Sequence, residues 1–318
     1  MSEDQLDTDQ VDQIQNRIAA AREQVKRRLV GQEQVMDQVL AVMLADGNAL
    51  LESTPGLGKT MLVRTIADVT DLSFKRIQNT PDLMPSDITG TEIIRETPDG
   101  GREFVFEKGP VFANVVLADE INRATPKTQA ALLEAMQEKQ VTAGGETRKL
   151  PRPFFVLATQ NPIEQEGTYA LPEAQQDRFL AKVLVDYPGR DDEREIVDRY
   201  TGRLDDDIPV ERALSRDALV KAQQLVRQVP IADDLRDYAI DLVRSTREAE
   251  QLEYGASPRA SMGLVVSGKA RAFMEGRNHV SEEDVKAMAK PVLRHRVIVD
   301  FRAEREGVTA DDVVDDLL

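Results

Sequence analysis

One eight-residue segment limits this chain more than any other: Ser53-Thr54-Pro55-Gly56-Leu57-Gly58-Lys59-Thr60 follows a short apolar run, Ala49-Leu50-Leu51, and precedes residues 61–69, where apolar side chains recur at helical spacing. Strand, glycine-rich loop and helix in that order make one unit over residues 49–69. Gly56 and Gly58 permit backbone angles and close approaches that a Cβ would obstruct, so successive N–H groups can converge on an anion at the helix N-terminus. Lys59 brings a charge suited to β- and γ-phosphates, and Thr60 a hydroxyl suited to Mg²⁺ bridging the same phosphates. A glycine turn that merely starts a helix is the other reading, and the Gly-Lys-Thr ending argues against it. Ser53 stands where such loops usually carry their first glycine, so slightly altered loop geometry is expected, not loss of binding. The nucleotide-binding stretch is therefore Pro55, Gly56, Leu57, Gly58, Lys59, Thr60 and Met61.

Two more short apolar runs, residues 115–118 and 154–158, each end in polar residues, where open α/β sheets place their ligands. The first ends in Asp119 and Glu120. Asp119 would hold Mg²⁺ directly or through water, and Glu120 would polarise the water that attacks the γ-phosphate; strands also commonly end in solvated acids. The second leads into Thr159-Gln160-Asn161-Pro162, where the Asn161 amide can orient that water or the γ-phosphate, or simply make a turn. Arg178, in Asp177-Arg178-Phe179, can reach a neighbouring subunit's γ-phosphate or form a surface salt bridge. Gly255-Ala256-Ser257-Pro258-Arg259 opens a helix, with Arg259 either turned back toward the nucleotide or simply exposed.

Around these segments Val11, Ile14, Ile18, Val25 and Leu29 keep a helical stripe, and residues 35–44 a second one. Residues 1–10 show no apolar periodicity and read as a frayed tail. Hairpins are expected at residues 92–95 and 103–106 around Pro98-Asp99-Gly100-Gly101, and over 141–150 around Gly144-Gly145, with a helix over 128–138. Strand-like content stops at Tyr187-Pro188-Gly189, which gives an α/β domain over 11–188 and a helical domain over 189–318. Breaks within the latter fall at Asp205-Asp206-Asp207, Pro230, residues 255–258 and residues 276–281, before the capping signature Ser281-Glu282-Glu283-Asp284.

Composition narrows the chemistry further. The chain has no cysteine and only two histidines, His279 and His295, so a metal here should be a hard ion on oxygen ligands. A net charge of −16 disfavours electrostatic capture of nucleic acid or an anionic membrane. The acidic balance, with 12 Lys against 29 Arg, is similar to that of proteins from salt-loving organisms such as halophilic archaea, or of an ordinary acidic cytosolic protein. No apolar run approaches a membrane span and the first 15 residues do not read as a secretory signal, so a cytoplasmic location is expected.

Taken together, Val30-Gly31-Gln32, the loop at Gly56 to Thr60, Asp119-Glu120-Ile121-Asn122-Arg123-Ala124, residues 158–169, Leu171-Pro172-Glu173-Ala174-Gln175-Gln176-Asp177-Arg178-Phe179 and residues 255–260 resemble the MoxR family of AAA+ ATPases over about residues 13–300. The resemblance implies an α/β AAA+ core, a parallel sheet sandwiched by helices, with a C-terminal all-helical lid, ATP or ADP with Mg²⁺ between them, and a hexameric ring. Asn161 would then be the first sensor, Arg259 the second sensor on the lid and Arg178 the finger in trans, with Arg123 another candidate for a trans contact. Val30, Gly31 and Gln32 would flank the adenine, mainly through backbone. The hairpin around Pro98 resembles the helix-2 insertion that marks one branch of the family, and both hairpins would face the ring's pore or surface. Such proteins remodel or activate clients, often with a partner carrying a von Willebrand factor A domain and sometimes for metal-cofactor insertion. A nucleic-acid motor on the same fold and a scaffold that binds nucleotide without turnover are the competing readings. The mixed charges of Glu92, Arg95, Glu96, Asp99, Arg102 and Glu103, and of Glu146, Arg148 and Lys149, speak against the motor. Glu120, Arg178 and Arg259 speak against the scaffold.

Overall fold

Five parallel strands order everything else in the computed structural model, which describes residues 8–96, 98, 100–162, 167–201 and 208–318. The chain begins with α1 (Thr8–Arg28) and α2 (Glu33–Leu44), then β1 (Ala49–Ser53), α3 (Lys59–Val69) and β2 (Phe74–Gln78). A short α4 (Pro85–Thr89) leads into the hairpin β3 (Gly90–Glu96) and β4 (Arg102–Lys108). After β5 (Val115–Asp119) and a 3-10 turn (Ile121–Arg123) come α5 (Pro126–Glu138), the hairpin β6 (Gln140–Ala143) and β7 (Glu146–Lys149), and β8 (Phe155–Gln160). The core closes with α6 (Glu173–Gln176) and β9 (Ala181–Val185). Beyond it lie α7 (Arg190–Thr201), α8 (Arg216–Gln228), α9 (Asp233–Ser245), β10 (Leu252–Tyr254), α10 (Pro258–Met274), α11 (Glu282–Leu293), β11 (Ile298–Val299), α12 (Phe301–Arg305) and α13 (Ala310–Leu317).

The sheet order is β2-β5-β8-β1-β9, all parallel, so the glycine-rich loop leaves a strand near the middle and the acidic pair leaves one two places away. Because strand side chains alternate, each strand feeds two cores. Ala49, Leu51, Val115, Leu117, Phe155, Leu157, Ala181 and Val183 join one buried cluster with α1, α2, α3 and the C-terminal helices. Leu50, Val116, Ala118, Val156 and Ala158 join the other, with Leu132, Leu133 and Met136 of α5. The C-terminal helices thus share a continuous apolar core with one face of the sheet, which fixes the lid's seat.

Two strands of the sheet escape a reading of apolar runs. Both are edges. In β2 only Ile77 is buried, because Lys75, Arg76 and Gln78 lie on an edge open to solvent. In β9 Lys182 interrupts the run and pairs with Glu52 at 2.8 Å. The expected strand at 154–158 begins one residue later and continues to Gln160, which puts Thr159 on the strand itself. α1 begins at Thr8, three residues before the stripe's first apolar position at Val11. Among its described residues the C-terminal region, expected to be all helical, is helical apart from one ribbon, β10 against β11. Residues 1–7 of the expected tail, Asp99 of the first hairpin turn, residues 163–166 of the family-like motif and the Asp205-Asp206-Asp207 break lie outside the described residues.

The lid's own folding is anchored at the predicted cap of α11. Asp284 is fully buried, and burial alone would raise its pKa. Hydrogen bonds from Arg277, Ser281 and Arg271 outweigh that cost and hold the carboxyl at about 2 against an ordinary 3.8. A carboxylate with a depressed folded pKa stabilises fully above its unfolded value and loses that contribution as pH falls toward the folded one. We therefore expect Asp284 to contribute about 2 kcal/mol of stability that disappears between pH 3.8 and about 2. Denaturant titrations of the wild type and Asp284→Asn should show the gap between them narrowing over that window; a gap independent of pH would refute the assignment.

Candidate functional site

Gly56 and Gly58 both take positive φ, +87° and +73°, and a Cβ at either would meet nothing within 4 Å, so it is backbone conformation and not crowding that asks for glycine here. Gly58 caps α3, whose first residues are Lys59 and Thr60, so the free N–H groups of a helix start lie at the end of this loop. Lys59 Nζ donates only long bonds to the carbonyls of Ser53 and Thr54, at 3.3 and 3.4 Å. Burial lowers the Lys59 pKa, and the nearby charges of Asp119 and Glu120 push it back up, so lysine and acidic pair lie in one electrostatic neighbourhood. Ser53 is the last residue of β1, buried, with its hydroxyl on the Thr54 carbonyl at 3.0 Å. It is absent from the residues with positive φ, so the backbone at this position makes no demand for glycine.

On the flank expected to meet the adenine, Val30 is buried and Gly31 takes φ +71°, with a would-be Cβ 2.7 Å from Asp192 of α7. Gln32 Nε2 donates to the Leu57 carbonyl at 2.7 Å and so ties this flank to the loop. Met61 contacts the same region through Tyr200, whose hydroxyl lies 3.4 Å from the Met61 sulfur and 2.7 Å from the Arg28 carbonyl. Gln32 Oε1 and Thr54 Oγ1 are buried with no partner among the described residues. A Thr54 hydroxyl free to donate, uncrowded backbone at two glycines and a lysine satisfied only by long bonds fit a phosphate, while the Gln32 amide oxygen, which can only accept, fits an N–H donor such as a base amine. For Mg²⁺ the donors that fit are hydroxyl and carboxylate oxygens, Thr60 and Asp119.

The acidic pair is set by one buried threonine. Thr159 Oγ1 donates to Asp119 Oδ1 at 2.6 Å and accepts the Glu120 N–H at 2.8 Å. Asp119 Oδ2 accepts from Arg76 Nε at 3.0 Å and Nη2 at 2.5 Å. Glu120 sits at φ +56°, a left-handed turn that swings its side chain away from the strand direction, and its Oε2 accepts from Gln78 at 2.9 Å and Arg123 at 3.2 Å. The two adjacent carboxylates therefore face different partners. Asn161, 5% exposed, follows the same β8 strand end, its carbonyl reached by Asn122 Nδ2 at 3.5 Å.

Arg259 reaches the residue next to Arg178. Arg259 Nη1 lies 3.2 Å from Asp177 Oδ2, the neighbour of Arg178 in sequence. Arg178 itself is half-buried and its side chain makes no hydrogen bond or ion pair among the described residues. Arg123, expected as a trans candidate, stands beside Glu120 of its own chain. Gln78 and Arg76 are not legible in the sequence because β2 lacks an apolar run, and Thr159 carries no motif of its own that announces a role. A hydroxyl one position before the polar end of a buried strand, level with the acidic pair on the adjacent strand, was the available signal.

Comparison with known proteins agrees with this geometry. Residues 48–181 match the family described as "ATPase family associated with various cellular activities (AAA)", and residues 244–317 match the AAA lid domain. "Chaperone MoxR1" of Mycobacterium tuberculosis is 44% identical over 304 residues, covering 93% of this chain and 79% of that protein. "Protein MoxR" of Methylorubrum extorquens is 31% identical over 331 residues, covering 93% and 92%. A crystal structure of a Cytophaga hutchinsonii protein, provisionally described as an ATPase, superposes with a TM-score of 0.90 at 41% identity over 98% of this chain and 96% of that one.

Proposed function

This chain belongs to the MoxR family of AAA+ ATPases, and we propose that it hydrolyses ATP with Mg²⁺ at a site that a neighbouring subunit completes, using the cycle to remodel or activate client proteins. One observation carries the hydrolytic part: Thr159 fixes Asp119 and Glu120 side by side within electrostatic reach of Lys59 in the glycine-rich loop. The loop's N–H groups and Lys59 would hold the β- and γ-phosphates, and Thr60 and Asp119 would hold the metal. Bound Mg²⁺ supplies charge stabilisation to the phosphate oxygens. Glu120 would take a proton from the attacking water, which requires it to leave Gln78 and Arg123; Asn161 would orient that water.

Arg178 acts in trans in this reading, and its lack of a partner within its own chain among the described residues supports that role. Arg178→Ala is expected to leave nucleotide affinity of the isolated chain unchanged and to lower turnover of the assembled protein by roughly 10³-fold, in the range that arginine fingers supply. Phosphate release measured across protein concentration tests this. A normal rate at saturating concentration would demote Arg178 to a surface residue. A hexameric ring, a von Willebrand factor A partner, the helix-2 insertion and a client role belong to the same proposal; the name of the mycobacterial relative, a chaperone, supports the client role.

A further inference from the structure

Asp177 is the meeting point of two lid arginines that hold it in different ways. Arg296 Nε donates to Asp177 Oδ1 at 2.7 Å, and Arg259 Nη1 donates to Oδ2 at 3.2 Å. The Arg296 side chain is 2% exposed, and its remaining N–H groups reach the carbonyls of Asp177 at 3.2 Å, Phe179 at 2.6 Å and Leu180 at 3.0 Å, together with Val292. A guanidinium so fully satisfied cannot leave without stranding a buried charge. The Arg259 side chain is 48% exposed and this is its single ion pair among the described residues, a contact that is easily exchanged. One arginine is fixed; the other can be released.

The grip on this segment extends further along the lid. The preceding His295 is buried, kept neutral by that burial, and its Nε2 lies 3.1 Å from the Phe179 carbonyl. Arg294 Nη1 donates to the Lys182 carbonyl at 3.2 Å. Three consecutive lid residues therefore clasp the main chain on both sides of Arg178.

We propose that Asp177 is a positioning residue that couples the nucleotide held by one subunit to the arginine offered to the next: Arg259 rests on its carboxylate until a γ-phosphate competes for the same guanidinium, while Arg296 keeps the segment bearing Arg178 attached to the lid. This rests on the reading of Arg259 as γ-phosphate sensor and Arg178 as trans finger. The carboxylate and the γ-phosphate are rival anions for one cation, so Asp177 disfavours ATP relative to ADP, which lacks the third phosphate. Neutralising it removes the rival.

The test is a calorimetric titration of the full chain with a non-hydrolysable ATP analogue and with ADP, in the wild type, Asp177→Asn and Arg259→Ala. Asp177→Asn should raise the ATP-to-ADP affinity ratio by roughly 2- to 5-fold, the worth of an exposed ion pair. Arg259→Ala should lower it. A purely structural role for Asp177 moves both affinities together and leaves the ratio alone. An unchanged ratio in Asp177→Asn beside a lowered one in Arg259→Ala overturns the relay, and an unchanged ratio in Arg259→Ala overturns the sensor reading beneath it. If Asp177→Asn fails to fold because Arg296 is stranded, the double variant Asp177→Asn with Arg296→Gln removes both charges and the same ratio is read. In mixtures doped with Glu120→Gln chains, turnover should depart from proportionality to the active fraction in the wild type and become proportional in the Asp177→Asn background. Proportionality in both would refute coupling between subunits.

Discussion

Glu120→Gln is expected to lower steady-state phosphate release by roughly 10²- to 10⁴-fold while ATP still binds, the range that a positioned general base contributes. The substitution is nearly isosteric. An amide keeps hydrogen bonds to Gln78 and Arg123 within reach and leaves the Glu120 N–H on Thr159, so the left-handed turn and the neighbouring Asp119 keep their geometry. What is lost is the negative charge, and with it the capacity to accept the water's proton and the ionic part of the contact with Arg123. Release rates and nucleotide affinity measured together separate this from a folding defect, and equal rates in the two proteins would sink the role assigned to this carboxylate. The same variant, loaded with ATP, is the bait with which to recover a client or partner.

Lys59→Ala should weaken nucleotide binding by about 2–5 kcal/mol, roughly 30- to 5000-fold, because it removes one member of a charge-assisted contact inside a partly desolvated loop. The Lys59 ammonium is half-buried, lowered in pKa by that burial and bound only by two long contacts to backbone carbonyls. Its removal costs the empty loop little, so the loss should appear in affinity while thermal stability stays near that of the wild type. Calorimetry showing unchanged ATP affinity would refute the loop as the phosphate cradle. Lys59 also stands near Asp119 and Glu120, so its loss leaves two carboxylates facing the phosphates unshielded.

How much of this was legible in advance follows from the kind of interaction each residue makes. The shape of the glycine-rich loop was legible because it is written in backbone: Gly56 and Gly58 are where positive φ is needed, and the helix that follows begins at Lys59, two residues before the apolar spacing that announced it. The three central strands were legible because both of their faces are buried, which leaves an unbroken apolar run. The edge strands β2 and β9 were not, since solvent on one side lets charges interrupt the pattern. With β2 went Arg76 and Gln78, the partners that now hold Asp119 and Glu120.

The sequence by itself therefore determined the glycine-rich loop between strand and helix, the acidic pair at a strand end, the likeness to one family and the change to helices after the sheet, because each of these is written in neighbours along the chain. Tertiary structure alone decided which partners those groups face. Thr159 meets Asp119 and Glu120 across adjacent strands, Gln78 meets Glu120 from 42 positions away, and Arg296 meets Asp177 from 119. Such contacts depend on strand register and on the shared apolar core that seats the lid, and both are outcomes of packing that no local pattern contains.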